Sequence, residues 1–80
     1  MNSKHCYYAI FNYEEDGITI TFPDLPGCIS CGYSTVEALQ MAKEALELYL
    51  EDIKKEDIPQ STILKEEMLK PTEKIFLIGL

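Results

Sequence analysis

The stretch Phe22-Pro23-Asp24-Leu25-Pro26-Gly27-Cys28 constrains this chain more than any other. Each proline fixes its own φ, lacks a backbone donor and pushes the residue before it towards extended geometry. Gly27 supplies backbone angles that residues with a Cβ avoid. Neither a helix nor a regular strand interior can be built from such a run. Strand-like residues precede it and a shorter strand-like run follows. The segment therefore reads as a stiff, shaped turn between two strands, with a capped amphipathic helix shortly afterwards.

Around that turn the chain divides readily. Cys6 to Phe11 is nearly continuous in apolar and aromatic residues, which predicts a central strand buried on both faces. Asn12 to Gly17 is polar and ends in Asp-Gly, a hairpin signal. Ile18, Ile20 and Phe22 alternate with Thr19 and Thr21, the period of a half-buried strand. Cys28 to Tyr33 is a third, shorter strand, ending near Gly32. Ser34-Thr35-Val36-Glu37 matches a capping box, in which serine hydroxyl and glutamate carboxylate each satisfy an orphan backbone donor.

Beyond that cap, Ala38, Leu39, Ala42, Ala45, Leu46, Tyr49 and Ile53 recur at helical spacing, with Lys43, Glu44, Glu47 and Glu51 largely opposite. The predicted helix runs to Asp52 or slightly beyond, with Lys54 and Lys55 near its negative end. Glu56 to Ser61 is a connection, and Ile63 to Leu69 is compatible with one or two helical turns before Pro71. Lys74 to Ile78 is the last strand. A strand–helix–strand passage within one sheet predicts a right-handed crossover and parallel neighbours, which places the last strand beside the first. The fold class is α+β, βββαβ: a three-stranded antiparallel sheet extended by a fourth strand, with one long helix packed on one face.

Charge narrows the function. The 80 residues carry 14 acidic against 7 basic side chains, a net charge of -7, and every basic residue is a lysine. Nucleic-acid binding normally uses basic clusters and bidentate arginines, so direct nucleic-acid contact by these residues is not expected. A basic protein partner suits the charge, because complementary potentials speed encounter. The plainer reading is that the charge keeps a small protein soluble. No apolar run is long enough to span a membrane, and Met1 to His5 lacks the apolar core of a signal peptide. The cytoplasm is the expected compartment, with Cys6, Cys28 and Cys31 as free thiols.

Catalytic and metal chemistry find little support. Cys28 and Cys31 have the spacing of a zinc half-site, but residues three apart in a strand point to opposite faces. His5 and Cys6 would join them only by folding nearby. Redox Cys-x-x-Cys pairs sit at helix starts, not in strands. Glu14, Glu15, Asp16 and Asp24 could be the vestige of a nuclease's metal site, yet most lie in a turn and read as solvated loop acids. His5 lacks a nucleophile or carboxylate at supporting spacing. No enzyme activity, metal or cofactor is expected. Tyrosines are the more informative side chains, since tyrosine is enriched at interface anchors. Tyr49 and one of Tyr7 or Tyr8 suit the core, and the other of that pair, with Tyr13 or Tyr33, suits a partner.

Taken in order, Tyr8-Ala9-Ile10-Phe11, Asp16-Gly17-Ile18 and Phe22-Pro23-Asp24-Leu25-Pro26-Gly27-Cys28 resemble the N-terminal domain of HicB-type antitoxins. Glu37-Ala38-Leu39, the run from Ala42 to Leu50 and Ile58-Pro59 extend the resemblance. It implies a partial ribonuclease-H-like fold without nuclease activity, and a role in a type II toxin–antitoxin pair. The implied partner is a HicA-type toxin, a small basic protein that cleaves mRNA, blocked by occlusion of its active surface. Many members add a C-terminal DNA-binding domain; the expectation here is a single HicB-like domain over 1–80, with no such domain within these residues. Tyr7, Tyr13, Asp24 and Tyr33 are the expected partner-binding residues. A homo-oligomer, dimer or tetramer, is expected through an open sheet edge. The alternatives are a small-molecule or regulatory binding module that kept the fold, and a degenerate nuclease.

Overall fold

A computed structural model describes residues 6–62 and 69–79. The helical turns considered for Ile63 to Leu69 fall almost entirely outside those residues, as does His5. The elements are β1 (Cys6–Glu14), β2 (Gly17–Thr21), β3 (Ile29–Gly32), α1 (Thr35–Glu51), a short 3-10 turn (Lys55–Asp57) and β4 (Glu73–Gly79). The strands form one sheet in the order β3-β2-β1-β4, and every neighbouring pair is antiparallel.

The pivotal turn is two β-turns in series. Leu25 N–H donates to the Phe22 carbonyl and Cys28 N–H to the Leu25 carbonyl, each at 2.9 Å. Pro23 and Pro26 occupy the second position of each turn, where a fixed φ is pre-set. Gly27, with φ of 88°, takes the third position of the second turn, which needs a positive φ. Phe22 N–H closes the loop on the Cys28 carbonyl at 3.3 Å. The result drives Phe22, Leu25 and Cys28 inward, and all three are buried.

The helix presents Ala38, Ala42, Leu46 and Leu50, at strict four-residue spacing, to the sheet. They meet Tyr7, Ala9, Phe11, Ile18, Ile20 and Ile78. Phe11 also packs against Phe76 in a tilted pair, 4.5 Å between ring centroids. A Cβ at Gly32 would lie 2.8 Å from the backbone of Ala38, so glycine is what lets the helix start pack against β3. Ser34 caps the helix as predicted, its Oγ accepting from Glu37 N–H at 3.2 Å. The Glu37 carboxylate reaches one residue further back than the box prescribes, accepting from Tyr33 N–H at 2.7 Å.

Two expectations need correction. The first strand is central but not buried on both faces: Tyr7, Ala9 and Phe11 are buried, while Cys6, Tyr8, Ile10 and Asn12 on the outward face are half-buried. The last strand does lie beside the first, but antiparallel to it. The helix already carries the chain to the end of the sheet holding the Pro-Gly turn, where Thr62 N–H meets the Asp24 carboxylate at 2.7 Å. By Thr72 the chain is back at the hairpin end, its carbonyl accepting from Tyr13 N–H at 2.8 Å. β4 thus enters where β1 finishes, and an antiparallel pair follows.

Candidate functional site

The β1–β2 hairpin turns on Glu15 and Asp16, with Glu14 paired to Gly17. All three acids are exposed. Beside them the chain leaves β3 through Tyr33, which is 84% exposed, and enters the helix with Val36 at 78%. The Tyr33 ring runs close over the hairpin. A Cβ at Gly17 would stand 3.5 Å from its Cδ1 and 3.0 Å from the Gly32 carbonyl, and Gly17 has a φ of 143°. Glu37 anchors the Tyr33 backbone from the first helical turn. Two shallow grooves flank this ring, one towards Thr19 and Cys31 and one towards Tyr13 and Thr35. An exposed aromatic thus stands beside the three hairpin carboxylates at one end of the sheet, with Glu37 and the exposed Val36 in the helical turn that follows. Such a surface offers an apolar anchor with an acidic rim, the arrangement that suits a basic protein.

The other expected partner residues have mixed fates. Tyr13 is half-buried at the same end, its hydroxyl 2.7 Å from Thr35 Oγ1. Lys74 Nζ lies 5.5 Å from its ring centroid, so the ring face is already taken by a cation. Tyr7 is a correction: it is 2% exposed and belongs to the core. Its hydroxyl donates to the Pro59 carbonyl. Burial first, and the Asp24 carboxylate second, push its pKa above the ordinary 10.0. Asp24 is half-buried at the opposite end, tying the connection after the helix to the Pro-Gly turn through Thr62. Tyr49 packs against the core and donates to the Pro26 carbonyl at 3.0 Å, as the sequence suggested for a core tyrosine. Sequence reasoning missed Val36 and set Leu48 on the helix's apolar surface or at its edge; both are exposed. Each stands two residues from a core position of the helix, a phase that would have found them.

The cysteines separate as the strand geometry predicts. Cys28 is buried, with Sγ 3.7 Å from the Ala45 carbonyl, and burial raises its thiol pKa. Cys31 is exposed on the outward face. The four acids considered as a nuclease vestige do not converge, since Asp24 lies at the far end of the sheet from Glu14, Glu15 and Asp16. Among the described residues no group of three His, Cys, Asp or Glu side chains is arranged to hold a metal ion. No helix among them is long and apolar enough to cross a membrane.

Comparison with known proteins places this geometry in context. The profile of a family described as HicB-like antitoxin of bacterial toxin–antitoxin systems matches residues 7–78. An uncharacterized 14.9 kDa protein from the rep-hol intergenic region of Haemophilus phage HP1 is 34% identical over 65 residues, covering 79% of this chain and 49% of that protein. The chain thus spans about half the length of this phage relative. A UPF0150 protein of Thermoplasma acidophilum is 42% identical over 57 residues, 68% of this chain and 83% of its own. Among solved structures, a chain of a toxin–antitoxin complex from Streptococcus pneumoniae superposes with a TM-score of 0.77 at 22% identity, over 96% of this chain and 69% of that one. A chain of the HicA3 and HicB3 toxin–antitoxin complex gives 0.66 at 21%, over 92% and 95%. At those identities the likeness establishes the fold.

Proposed function

The chain belongs to the HicB-like antitoxin family of bacterial toxin–antitoxin systems, and from that membership we propose that it is an antitoxin domain. Its partner is a small, basic, HicA-type toxin that cleaves mRNA, and it acts by covering the surface that the toxin uses on RNA. The role is binding, not catalysis. The compartment is the cytoplasm, where the three unpaired thiols persist. Both structural neighbours come from toxin–antitoxin complexes, which supports the partner class.

The observation that carries the reading is the hairpin end, where exposed Tyr33 lies beside the exposed acids Glu14, Glu15 and Asp16, with Val36 and Glu37 in the helical turn that follows, on a chain of net charge -7. Acidic potential steers a basic partner to this end and sets the encounter rate. Tyr33, rigid and with few rotatable bonds, sets how long the partner stays.

The test is a calorimetric titration with a HicA-type toxin, with RNA cleavage followed in the same mixture. Stoichiometric binding with loss of cleavage is expected. Tyr33→Ala combined with Val36→Ala should weaken binding at least about tenfold through faster dissociation. Raising ionic strength should slow association with little effect on dissociation. Absence of binding, or binding that leaves cleavage intact, refutes the reading.

A further inference from the structure

Tyr33 is 84% exposed, and carboxylates stand on both sides of its ring. The groove towards Cys31 and the groove towards Tyr13 share Glu14, Asp16 and Tyr33 as lining. The position of the ring is set by its neighbours. Gly17 lets it come close, since a Cβ there would stand 3.5 Å from Cδ1. Glu37 holds the Tyr33 backbone, its Oε1 accepting from the N–H at 2.7 Å. The Glu14 carboxylate is oriented as well, its Oε1 accepting from Thr19 Oγ1 at 3.0 Å. Tyr13, the other tyrosine at this end, already holds the Lys74 ammonium 5.5 Å from its ring centroid.

We propose that Tyr33 and Glu14 form a receptor for one arginine side chain of the partner protein, its guanidinium plane on the ring and its N–H edge on the carboxylate. The receptor presupposes the antitoxin role and supplies the chemical group that the hairpin end recognises. A side chain that reaches the ring by either groove passes Glu14 and Asp16. An apolar one would strip water from those carboxylates and give nothing back. A cation gains from them and from the negative face of the ring together. Arginine suits the pair better than lysine. Its guanidinium is planar and weakly hydrated, stacks on aromatic faces and meets a carboxylate with two parallel N–H donors. Lysine is a compact, strongly hydrated point charge. Because the Tyr33 backbone and the Glu14 carboxylate are both held before the partner arrives, little ordering cost opposes the contact. Tyr13 shows the same attraction within the chain, and with Lys74 on that ring the incoming cation is directed to Tyr33.

The experiment is calorimetric titration of the full chain with a HicA-type toxin whose arginines are changed to lysine one at a time. Tyr33→Phe keeps the ring and should bind within about twofold of the parent chain, whereas Tyr33→Leu keeps apolar area without the ring and should bind about tenfold more weakly. Glu14→Gln should weaken binding by a similar factor. Combined with Tyr33→Leu it should weaken binding by less than the product of the two, because both variants remove the same contact. One arginine-to-lysine change in the toxin should cost about tenfold against the parent chain and nothing against Tyr33→Leu. Tyr33 and Glu14 are exposed, so circular dichroism should be unchanged in these variants. Tyr33→Leu that binds as tightly as the parent overturns the proposal, and so does a toxin in which no arginine couples to Tyr33. In both cases binding by the parent chain leaves the antitoxin role standing. A parent chain that does not bind the toxin overturns both.

Discussion

Tyr7 carries the most information of any single residue. It stands in phase with Ala9 and Phe11, and its hydroxyl is spent on Pro59 at the end of the sheet remote from the hairpin. Because burial and the nearby Asp24 carboxylate raise its pKa, the folded state holds the phenol proton more tightly than the unfolded chain does. The linked stability is complete below the ordinary value of 10.0 and is lost as pH rises past it through the higher folded value. Urea denaturation at neutral pH and above pH 10.0 should show this loss in the parent chain. Tyr7→Phe should cost about 1 kcal/mol at neutral pH, by leaving the Pro59 carbonyl unpaired, and should flatten the alkaline decline. The sequence showed that one of Tyr7 and Tyr8 belongs to the core, but not which. The run from Cys6 to Phe11 offers an apolar or aromatic residue at nearly every position, so its parity is set by the strands and helix that pack on it. Tyr33 was legible, because it falls between a strand end and a helix cap, where no packing partner claims it.

Among the elements, the double turn and the helix were the most readable and the last strand the least. Pro23, Pro26 and Gly27 dictate local geometry by themselves, and the structure obeys them. Nothing lies within 4 Å of where a Gly27 Cβ would stand, so any cost of adding one is conformational and not steric. Gly27→Ala should therefore destabilise by about 1–2 kcal/mol, and Gly27→Asn by less, since asparagine tolerates this turn position. Equal costs for the two in urea denaturation would show that the side chain, not the backbone angle, decides. The helix showed most of its core stripe in advance, Ala38, Ala42 and Leu46, because helical spacing is a property of sequence alone; Leu39, expected on the stripe, is exposed, and Leu50 is buried in its place. The direction of β4 was hidden because it depends on how often the connecting chain traverses the sheet, and no local propensity records that. The candidate partner surface was half legible for the same reason. Tyr33 and the hairpin acids are signalled locally, but only the folded chain brings Val36 and Glu37 to them.

For the molecule as a whole, one end stands out: the hairpin end, where exposed Tyr33 lies beside the exposed acids Glu14, Glu15 and Asp16. The order of the strands adds a consequence in time. Phe11 meets Ile20 across a single hairpin, whereas Ala9 meets Phe76 from nearly opposite ends of the chain. The three-stranded meander and its helix can close through short loops, while β4 must wait for a much longer one. Native-state hydrogen exchange should then show the β4 amides opening at lower free energy than those between β1 and β2. Uniform protection across the sheet would contradict this. Synthesis on a ribosome runs in the same sequence, so residues up to Glu51 emerge and can assemble before the last strand exists. In that interval β1, an inner strand of the finished sheet, is an edge, with its ladder of amides and carbonyls unclaimed. The nascent protein is thus briefly a template for any extended segment that arrives before its own.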